Sequence, residues 1–154
     1  MPAASEPPPA PTLPHTWRPL GVRVAGTVLG AGLVVVCALA WLGFDDETRA
    51  RFTTFQRITM LAFFLLAFAT WFALVRSRIV ARDDRLVVVN GYRRREYEWA
   101  EVIGVHLPPG APWVTLDLAD GTTVAAMGIQ GSDGNRARTA VRELRAAVEQ
   151  QSRP

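Results

Sequence analysis

The chain has 154 residues, of which 49% are hydrophobic and only 20% are charged. This balance excludes an intrinsically disordered chain, which is poor in apolar residues, and the single cysteine, Cys37, excludes a disulfide-rich secreted scaffold. The net charge is +3 and all 17 basic residues are arginine. We attribute this bias to GC-rich coding and expect no nucleic-acid partner.

The N-terminal segment, residues 1–19, holds seven of the 11 prolines. Proline lacks a backbone donor and favours an extended, solvated chain. We therefore predict a disordered tail over this segment.

Two long stretches without charge follow, residues 24–44 and residues 58–75. A helix needs roughly 20 residues to cross a hydrocarbon core of ~30 Å, and its backbone groups are then paired internally. We predict two membrane-spanning helices, at about 22–44 and 54–76, within a hairpin over residues 20–75. Aromatic residues cluster at the ends of both stretches, as is typical of membrane interfaces. They are Trp17, Trp41, Phe44, Phe52, Phe55, Trp71 and Phe72.

The polar link between these stretches, residues 45–51, is short, so the two helices are expected to be antiparallel neighbours. Small residues recur at four-residue spacing in both helices, which permits close helix approach. They are Gly26, Gly30, Ala69 and Ala73. The spacing predicts helix packing within the hairpin. The same residues also suit a homo-oligomer, and the sequence does not separate the two uses.

Basic residues set the expected orientation of the hairpin. Six arginines flank its outer ends and three lie on its loop side. Cytoplasmic segments of membrane proteins are enriched in such residues, so this distribution favours a multi-pass protein of the plasma (inner) membrane with both termini in the cytoplasm. The outer arginines are Arg18, Arg23, Arg76, Arg78, Arg82 and Arg85, and those of the loop are Arg49, Arg51 and Arg57.

A cleaved signal peptide is the alternative to an anchored hairpin. Ala38, Leu39 and Ala40 have the small-x-small form of a cleavage site after an apolar stretch. The apolar stretch continues through Trp41 and Leu42, which argues against cleavage there. A secreted or surface-exposed product stays open as an alternative.

Residues 77–150 have a different character and predict a domain outside the membrane. β-branched runs, an Asn-Gly pair, and a stretch of strict alternation before an Asp-Gly pair predict antiparallel strands over about 77–130. The predicted strands are 77–82, 85–91, 92–98, 101–106, 113–118 and 122–127. Apolar residues then recur at three- and four-residue steps, which predicts an amphipathic helix over about 134–150 that must bury one stripe. Its candidate N-caps are Ser132, Asp133 and Asn135.

This order of elements resembles the bacterial PH-domain membrane proteins, and among them the actinobacterial low-molecular-weight protein antigen 6 PH-domain family. The resemblance is carried by residues 93–95 leading into 98–102, by residues 112–122 and by residues 127–130. It implies an α+β membrane protein, in which a two-helix transmembrane hairpin precedes a pleckstrin-homology (PH)-like, partly open β-barrel of seven strands capped by the C-terminal helix. It implies no known activity, although bacterial PH-like domains often act as assembly or interaction modules.

Few residues are candidates for chemistry. His15 and His106 lie far apart in the sequence, and no nucleophile elbow, phosphate loop or metal-ligand cluster is present. We therefore expect that the protein is not an enzyme and that it has no catalytic residue, no cofactor and no bound metal.

One basic run stands out, and it consists of three consecutive arginines. With two arginines across the preceding turns it forms a predicted contact site for lipid or a protein partner: Arg82, Arg85, Arg93, Arg94 and Arg95. Beneath a bilayer, such residues attract anionic head groups by ~1 kcal/mol each. The same charges on an edge strand discourage sheet-to-sheet aggregation, and nearby Glu96, Glu98 and Glu101 neutralise part of the patch.

The sequence thus predicts a non-catalytic, membrane-anchored PH-like protein that acts as an interaction or assembly module at the cytoplasmic face of the membrane. Its expected partners are membrane lipids and an unidentified protein. The alternatives are anionic head-group binding by the domain itself and the secreted product described above.

Overall fold

The computed structural model describes residues 10–152 and divides into two compact units. Residues 21–75 form one unit, and the residues on both sides of that segment together form the other. The chain therefore leaves the second unit and later returns to it. We describe each unit by itself.

The unit of residues 21–75 contains two long helices, α1 (Gly21–Gly43) and α3 (Thr54–Arg76). Each has 23 residues and is long and apolar enough to cross a membrane. Their bounds agree within one residue with the helices predicted at 22–44 and 54–76. None of the residues in either helix is buried in the structure, although most are apolar.

The link between them contains a helix that the sequence analysis did not predict, α2 (Asp46–Arg51). Asp45 caps it, because its carboxylate accepts a hydrogen bond from the main-chain N–H of Thr48 at 2.8 Å. Three aromatic rings, those of Trp41, Phe44 and Phe52, contact one another at this end of the unit.

Within residues 10–152, the second unit contains seven antiparallel strands, one α-helix and two short 3-10 helices. The strands are β1 (His15–Trp17), β2 (Arg78–Ala81), β3 (Arg85–Asn90), β4 (Arg93–Glu98), β5 (Val102–His106), β6 (Trp113–Leu118) and β7 (Thr123–Gln130). They form a four-stranded sheet in the order β1-β2-β3-β4 and a three-stranded sheet in the order β5-β6-β7. The chain ends in α4 (Asn135–Gln151), and the predicted α+β, PH-like architecture after a helical hairpin is confirmed.

Both faces predicted to be apolar are buried. Val114, Leu116 and Leu118 alternate inward along β6, and α4 buries a stripe that includes Val141 and Leu144. The two sheets approach closely where β7 crosses β2, since a Cβ added at Gly128 would lie 2.5 Å from the main-chain nitrogen of Ile79. These layers form one core.

The first strand corrects the predicted disordered tail. Within residues 10–19, His15–Trp17 pairs with β2, and Trp17 is only 5% exposed. The indole Nε1–H of Trp17 donates to the carboxylate of Glu143 on α4 at 2.9 Å. Trp17 is therefore a core residue, and its assignment to an interfacial aromatic belt was wrong. Residues 1–9 of the predicted tail lie outside the described residues.

The predicted caps of α4 were also wrong. The N-cap position is occupied by Gly134 with φ 60°, and no side chain caps the helix there. Asp133 instead accepts a hydrogen bond from the main-chain N–H of Leu20 at 2.9 Å. The carboxylate is thus used to hold the residue that follows β1, which sequence spacing along the helix does not indicate.

Candidate functional site

The three consecutive arginines lie on β4, which is an edge of the four-stranded sheet. Side chains alternate along a strand, so Arg93 and Arg95 share a face with Tyr97, which is buried in the core. Arg94 takes the other face with Glu96. The arginine run is thus divided between two surfaces, as the strand periodicity predicts.

On the face of Arg94, charges are paired. The guanidinium of Arg85 contacts Glu96 at 2.9 Å and Asp84 at 2.6 Å, and Arg94 also pairs with Glu96. Hydrogen bonds from Arg85 lower the pKa of Asp84 and the pKa of Glu96. A hydrogen bond from Arg94 lowers the pKa of Glu96 further. The bonds to both carboxylates raise the pKa of Arg85. Two arginines and two carboxylates therefore form a neutral cluster, as expected for Glu96.

The other three arginines of the predicted contact site have no such pairs. Among residues 10–152, no carboxylate lies within ion-pair distance of Arg82, Arg93 or Arg95. The structure thus leaves three of the five predicted residues available for an external anion. Their contact with lipid or a partner stays a prediction.

Arg95 also lines a cleft of about 660 Å³ between β4, the turn that follows it and the β6–β7 hairpin. We call this the β4 cleft, and its lining includes Arg95, Glu96, Tyr97, Glu101, Leu118, Asp120 and Val124. Of its three carboxylates, that of Glu96 is already paired with Arg85 and Arg94. The main-chain N–H of Ala119 donates to the carbonyl of Glu101 at 2.8 Å, which holds the two turns together at one end of the cleft.

Tyr97 is the unusual residue of the β4 cleft. Its side chain is 8% exposed, and its hydroxyl is buried without a hydrogen-bond partner among the described residues. Leaving a buried polar group unpaired costs about 1–3 kcal/mol. Such groups are rare in native proteins and call for an explanation.

The carboxylates of the cleft are bound locally. Glu101 accepts the main-chain N–H of Glu98 at 2.7 Å, and Asp120 accepts the main-chain N–H of Thr122 at 2.8 Å. The backbone hydrogen bond from Thr122, followed by that from its hydroxyl, lowers the pKa of Asp120. Glu101 and Asp120 therefore contribute two carboxylates to the lining of the cleft.

Sequence reasoning missed a second polar pair, on the sheet formed by β5 and β6. His106 Nε2 lies 2.8 Å from the Asp117 carboxylate, above Gly104. A Cβ at Gly104 would lie 2.9 Å from atoms of both side chains, so glycine makes room for the pair. Only the register of β5 against β6 brings them together, and no short-range motif marks it.

The predicted packing residues of the hairpin differ from one another. A Cβ on Gly26 would lie 2.9 Å from Trp71 Cδ1, so Gly26 lies against α3. Gly30 has nothing within 4 Å of such a Cβ, and it is exposed in this structure. Ala69 and Ala73 on α3 are half-buried.

Comparison with known proteins matches the profile of the bacterial PH domain to residues 76–147. Uncharacterized proteins of Mycobacterium tuberculosis and Mycobacterium bovis are each 31% identical over 135 residues, which is 88% of this chain and 85% of each relative. The similarity therefore extends beyond residues 76–147 into the segment before them. No solved structure matches the chain significantly.

Proposed function

Because the chain belongs to the bacterial PH domain family, whose domains are generally non-catalytic, we propose that it is a membrane-anchored interaction module. In this proposal α1 and α3 span the plasma membrane, and the PH-like unit docks a protein partner at the cytoplasmic face. The module assembles proteins and carries out no reaction itself.

One observation carries the proposal: the apolar helices are inserted between two neighbouring strands of one sheet. Trp17 on β1 and Ile79 on β2 are register partners. The chain therefore leaves and re-enters the same sheet on either side of residues 21–75. Two membrane crossings return a chain to its starting side, and one or three do not. This connectivity supports a two-span hairpin with both ends on one side.

The surface of the helices supports a lipid environment. Leu29 is 73% exposed and Phe55 is 78% exposed, and similar residues continue along both helices. Soluble proteins rarely leave a continuous apolar surface of this length in water. Lipid chains would cover it, and the six outer arginines against three in the loop favour the cytoplasm for both ends.

The same connectivity argues against the secreted product. Cleavage near Ala40 would separate β1 from the rest of its sheet. Trp17, which is 5% exposed and hydrogen-bonded to Glu143, would then no longer be joined to the core by the chain.

Binding of an anionic lipid surface has less support than protein assembly. Arg85 and Arg94 are already neutralised by Asp84 and Glu96. Only Arg82, Arg93 and Arg95 are left to meet head groups, and Arg95 also lines the β4 cleft.

Cysteine labelling of the full chain tests the topology. In a Cys37→Ser background, single cysteines replace Thr12, Asp46 or Ser132, all of them exposed. A membrane-impermeant maleimide should label the Asp46→Cys protein on intact spheroplasts, and the other two only after permeabilisation. Labelling of Thr12→Cys and Ser132→Cys from opposite sides would contradict the hairpin, and labelling of both from outside would contradict the cytoplasmic location.

Photo-crosslinking of the full chain in its membrane tests the interaction. A photoreactive residue replaces Ile103, which is 67% exposed on β5, and a matched control replaces Leu29 on α1. A discrete protein adduct from position 103 that is absent from position 29 is the expected result. No discrete protein adduct from any exposed position of the PH-like unit would count against an assembly role.

A further inference from the structure

Two hydrogen-bond donors belong to residues that line the β4 cleft and have no acceptor among the described residues. Arg95 and Tyr97 are two residues apart on β4 and therefore face the same side. Among residues 10–152, Arg95 has no ion-pair partner, and the buried Tyr97 hydroxyl has no hydrogen-bond partner. An external oxyanion would satisfy both groups.

The turn that follows β4 brings the opposite charge. Glu101 and Asp120 belong to two turns that are held together by the main-chain hydrogen bond from Ala119 to Glu101. Each carboxylate has about four lone-pair sites. Among the described residues, Glu101 accepts from Glu98, and Asp120 accepts from Thr122. Both therefore keep acceptor capacity for a ligand that carries hydrogen-bond donors.

Leu118 and Val124 add apolar side chains to the lining of the cleft. The cleft thus has an unpaired arginine within β4, apolar side chains, and two carboxylates in the turns that follow β4 and β6. A ligand that carries both an oxyanion and an ammonium, joined by a short alkyl link, complements these groups.

We propose that the β4 cleft binds an aminoalkyl phosphodiester of the glycerophosphoethanolamine type, either as a free molecule or as a lipid head group. Its phosphate meets Arg95 and the hydroxyl of Tyr97, and its ammonium meets Glu101 and Asp120. A phosphodiester carries a single negative charge, which limits repulsion by these carboxylates. The oxygens around its phosphorus are arranged tetrahedrally, so they accept hydrogen bonds from donors that do not lie in one plane.

This site shares Arg95 with the predicted contact site of five arginines but none of the other four, and it does not depend on the protein partner proposed above. The Tyr97 hydroxyl is shielded in the structure, so binding requires side-chain movement at the mouth of the cleft. Arg95 is exposed and unpaired, which leaves it free to move.

The first experiment titrates glycerophosphoethanolamine into the full chain in phosphatidylglycerol nanodiscs, and measures affinity by calorimetry. Inorganic phosphate and ethylamine are titrated separately as the two halves of the ligand. We expect the zwitterion to bind at least ten times more tightly than either half. Equal affinity for phosphate and the zwitterion, or no binding of the zwitterion, overturns the proposal for the free ligand.

Three variants separate a ligand contact from a structural role. Arg95→Gln and Tyr97→Phe should each weaken binding at least fivefold, whereas Arg93→Gln, a matched change on the same strand outside the cleft, should leave it unchanged. Tyr97→Phe should keep or raise the melting temperature, because the hydroxyl has no partner to lose. Unchanged affinity in the first two variants, or an equal loss in Arg93→Gln, overturns the assignment.

A second arm distinguishes the source of the head group. Phosphatidylethanolamine is added to the nanodiscs without soluble ligand, and the ring signals of Tyr97 are followed by NMR with Tyr97→Phe for assignment. A shift that Arg95→Gln abolishes identifies the lipid as a source. Binding of the soluble ligand alone identifies the free molecule. No response in either arm overturns the proposal as a whole.

Discussion

The two units of this protein use apolar residues in opposite ways. In the hairpin of α1 and α3, no residue is buried, and Leu29 and Phe55 turn outward. In the PH-like unit, Ile79, Leu116 and Leu144 are fully enclosed. The PH-like unit is therefore stabilised by its own core, whereas the stability of the helices depends on what surrounds them. Substitutions should therefore act by different rules in the two units.

The largest contrast is expected between two tryptophans. Trp17→Ala removes a core side chain that is 5% exposed and its bond to Glu143, and should destabilise the PH-like unit by about 3–5 kcal/mol. Chemical denaturation of the full chain in nanodiscs, followed by circular dichroism, measures this loss. Trp41→Ala on α1 is the matched control and should leave the unfolding of the PH-like unit unchanged. Equal losses of stability in the two variants would contradict the predicted difference between the two units.

Two glycines give the next largest contrast. Gly128→Ala places a methyl group 2.5 Å from the backbone of Ile79, and should cost about 1–3 kcal/mol because backbone yields little. Gly32→Ala on α1 meets nothing within 4 Å and gains helix propensity, so no loss is expected. Melting temperatures of both variants measure the effects. An unchanged melting temperature in Gly128→Ala would show that the two sheets move apart more easily than their close approach indicates.

A smaller effect is expected within the hairpin. Gly26→Val directs its side chain at Trp71, which is a side chain and can shift, so a loss of about 1 kcal/mol in hairpin stability is expected. Gly30→Val should not change that stability, since its surroundings are open. Detergent-induced unfolding followed by helical circular dichroism reports both. A loss at Gly30 that depends on protein concentration would instead indicate the homo-oligomer.

The smallest effect concerns pH and arises at the charged edge strand, β4, and its neighbour β3. Bonds to Arg85 hold the pKa of Asp84 and of Glu96 below their ordinary values of 3.8 and 4.5. A carboxylate with a lowered folded-state pKa stabilises the fold above its ordinary pKa, and this contribution is lost as the pH falls through the folded-state value. Both carboxylates are exposed, so the expected change in the free energy of unfolding is small.

The pH effect is measured as the difference in melting temperature between the natural protein and Glu96→Gln. The difference should be greatest near pH 6 and should shrink as the pH approaches 3. Glu149→Gln on α4, which has no ion pair among residues 10–152, is the control and should show no such trend. A constant difference across this range would show that Glu96 acts through packing.

Local sequence patterns correctly predicted the elements whose formation depends on residues close together in the chain. The two helices follow from uninterrupted apolar composition, and β6 follows from alternation, because each is encoded within its own residues. β1 was missed, since the segment His15–Trp17 is stabilised by β2, which follows after 60 intervening residues (18–77). The prolines on both sides of this segment led to the prediction of a disordered tail, although the strand itself contains no proline.

The candidate site shows the same limit. The arginines of β4 were visible in the sequence, and their partial neutralisation by Glu96 was foreseen. The β4 cleft was not, because it requires β4 and the β6–β7 hairpin to face each other. The unpaired hydroxyl of Tyr97 was also hidden, since whether a tyrosine finds a partner depends on neighbours from other strands.

The insertion of the hairpin between β1 and β2 imposes an order on biosynthesis. The ribosome releases β1 first, then both apolar helices, and only then the strand beside which β1 must lie. With the helices in the bilayer, the sheet closes only when both flanks of the hairpin reach the same compartment. A nascent chain inserted with a single crossing leaves Trp17 on the wrong side and β2 without its neighbour. In the proposed topology, closure of the sheet therefore depends on both helices crossing the membrane.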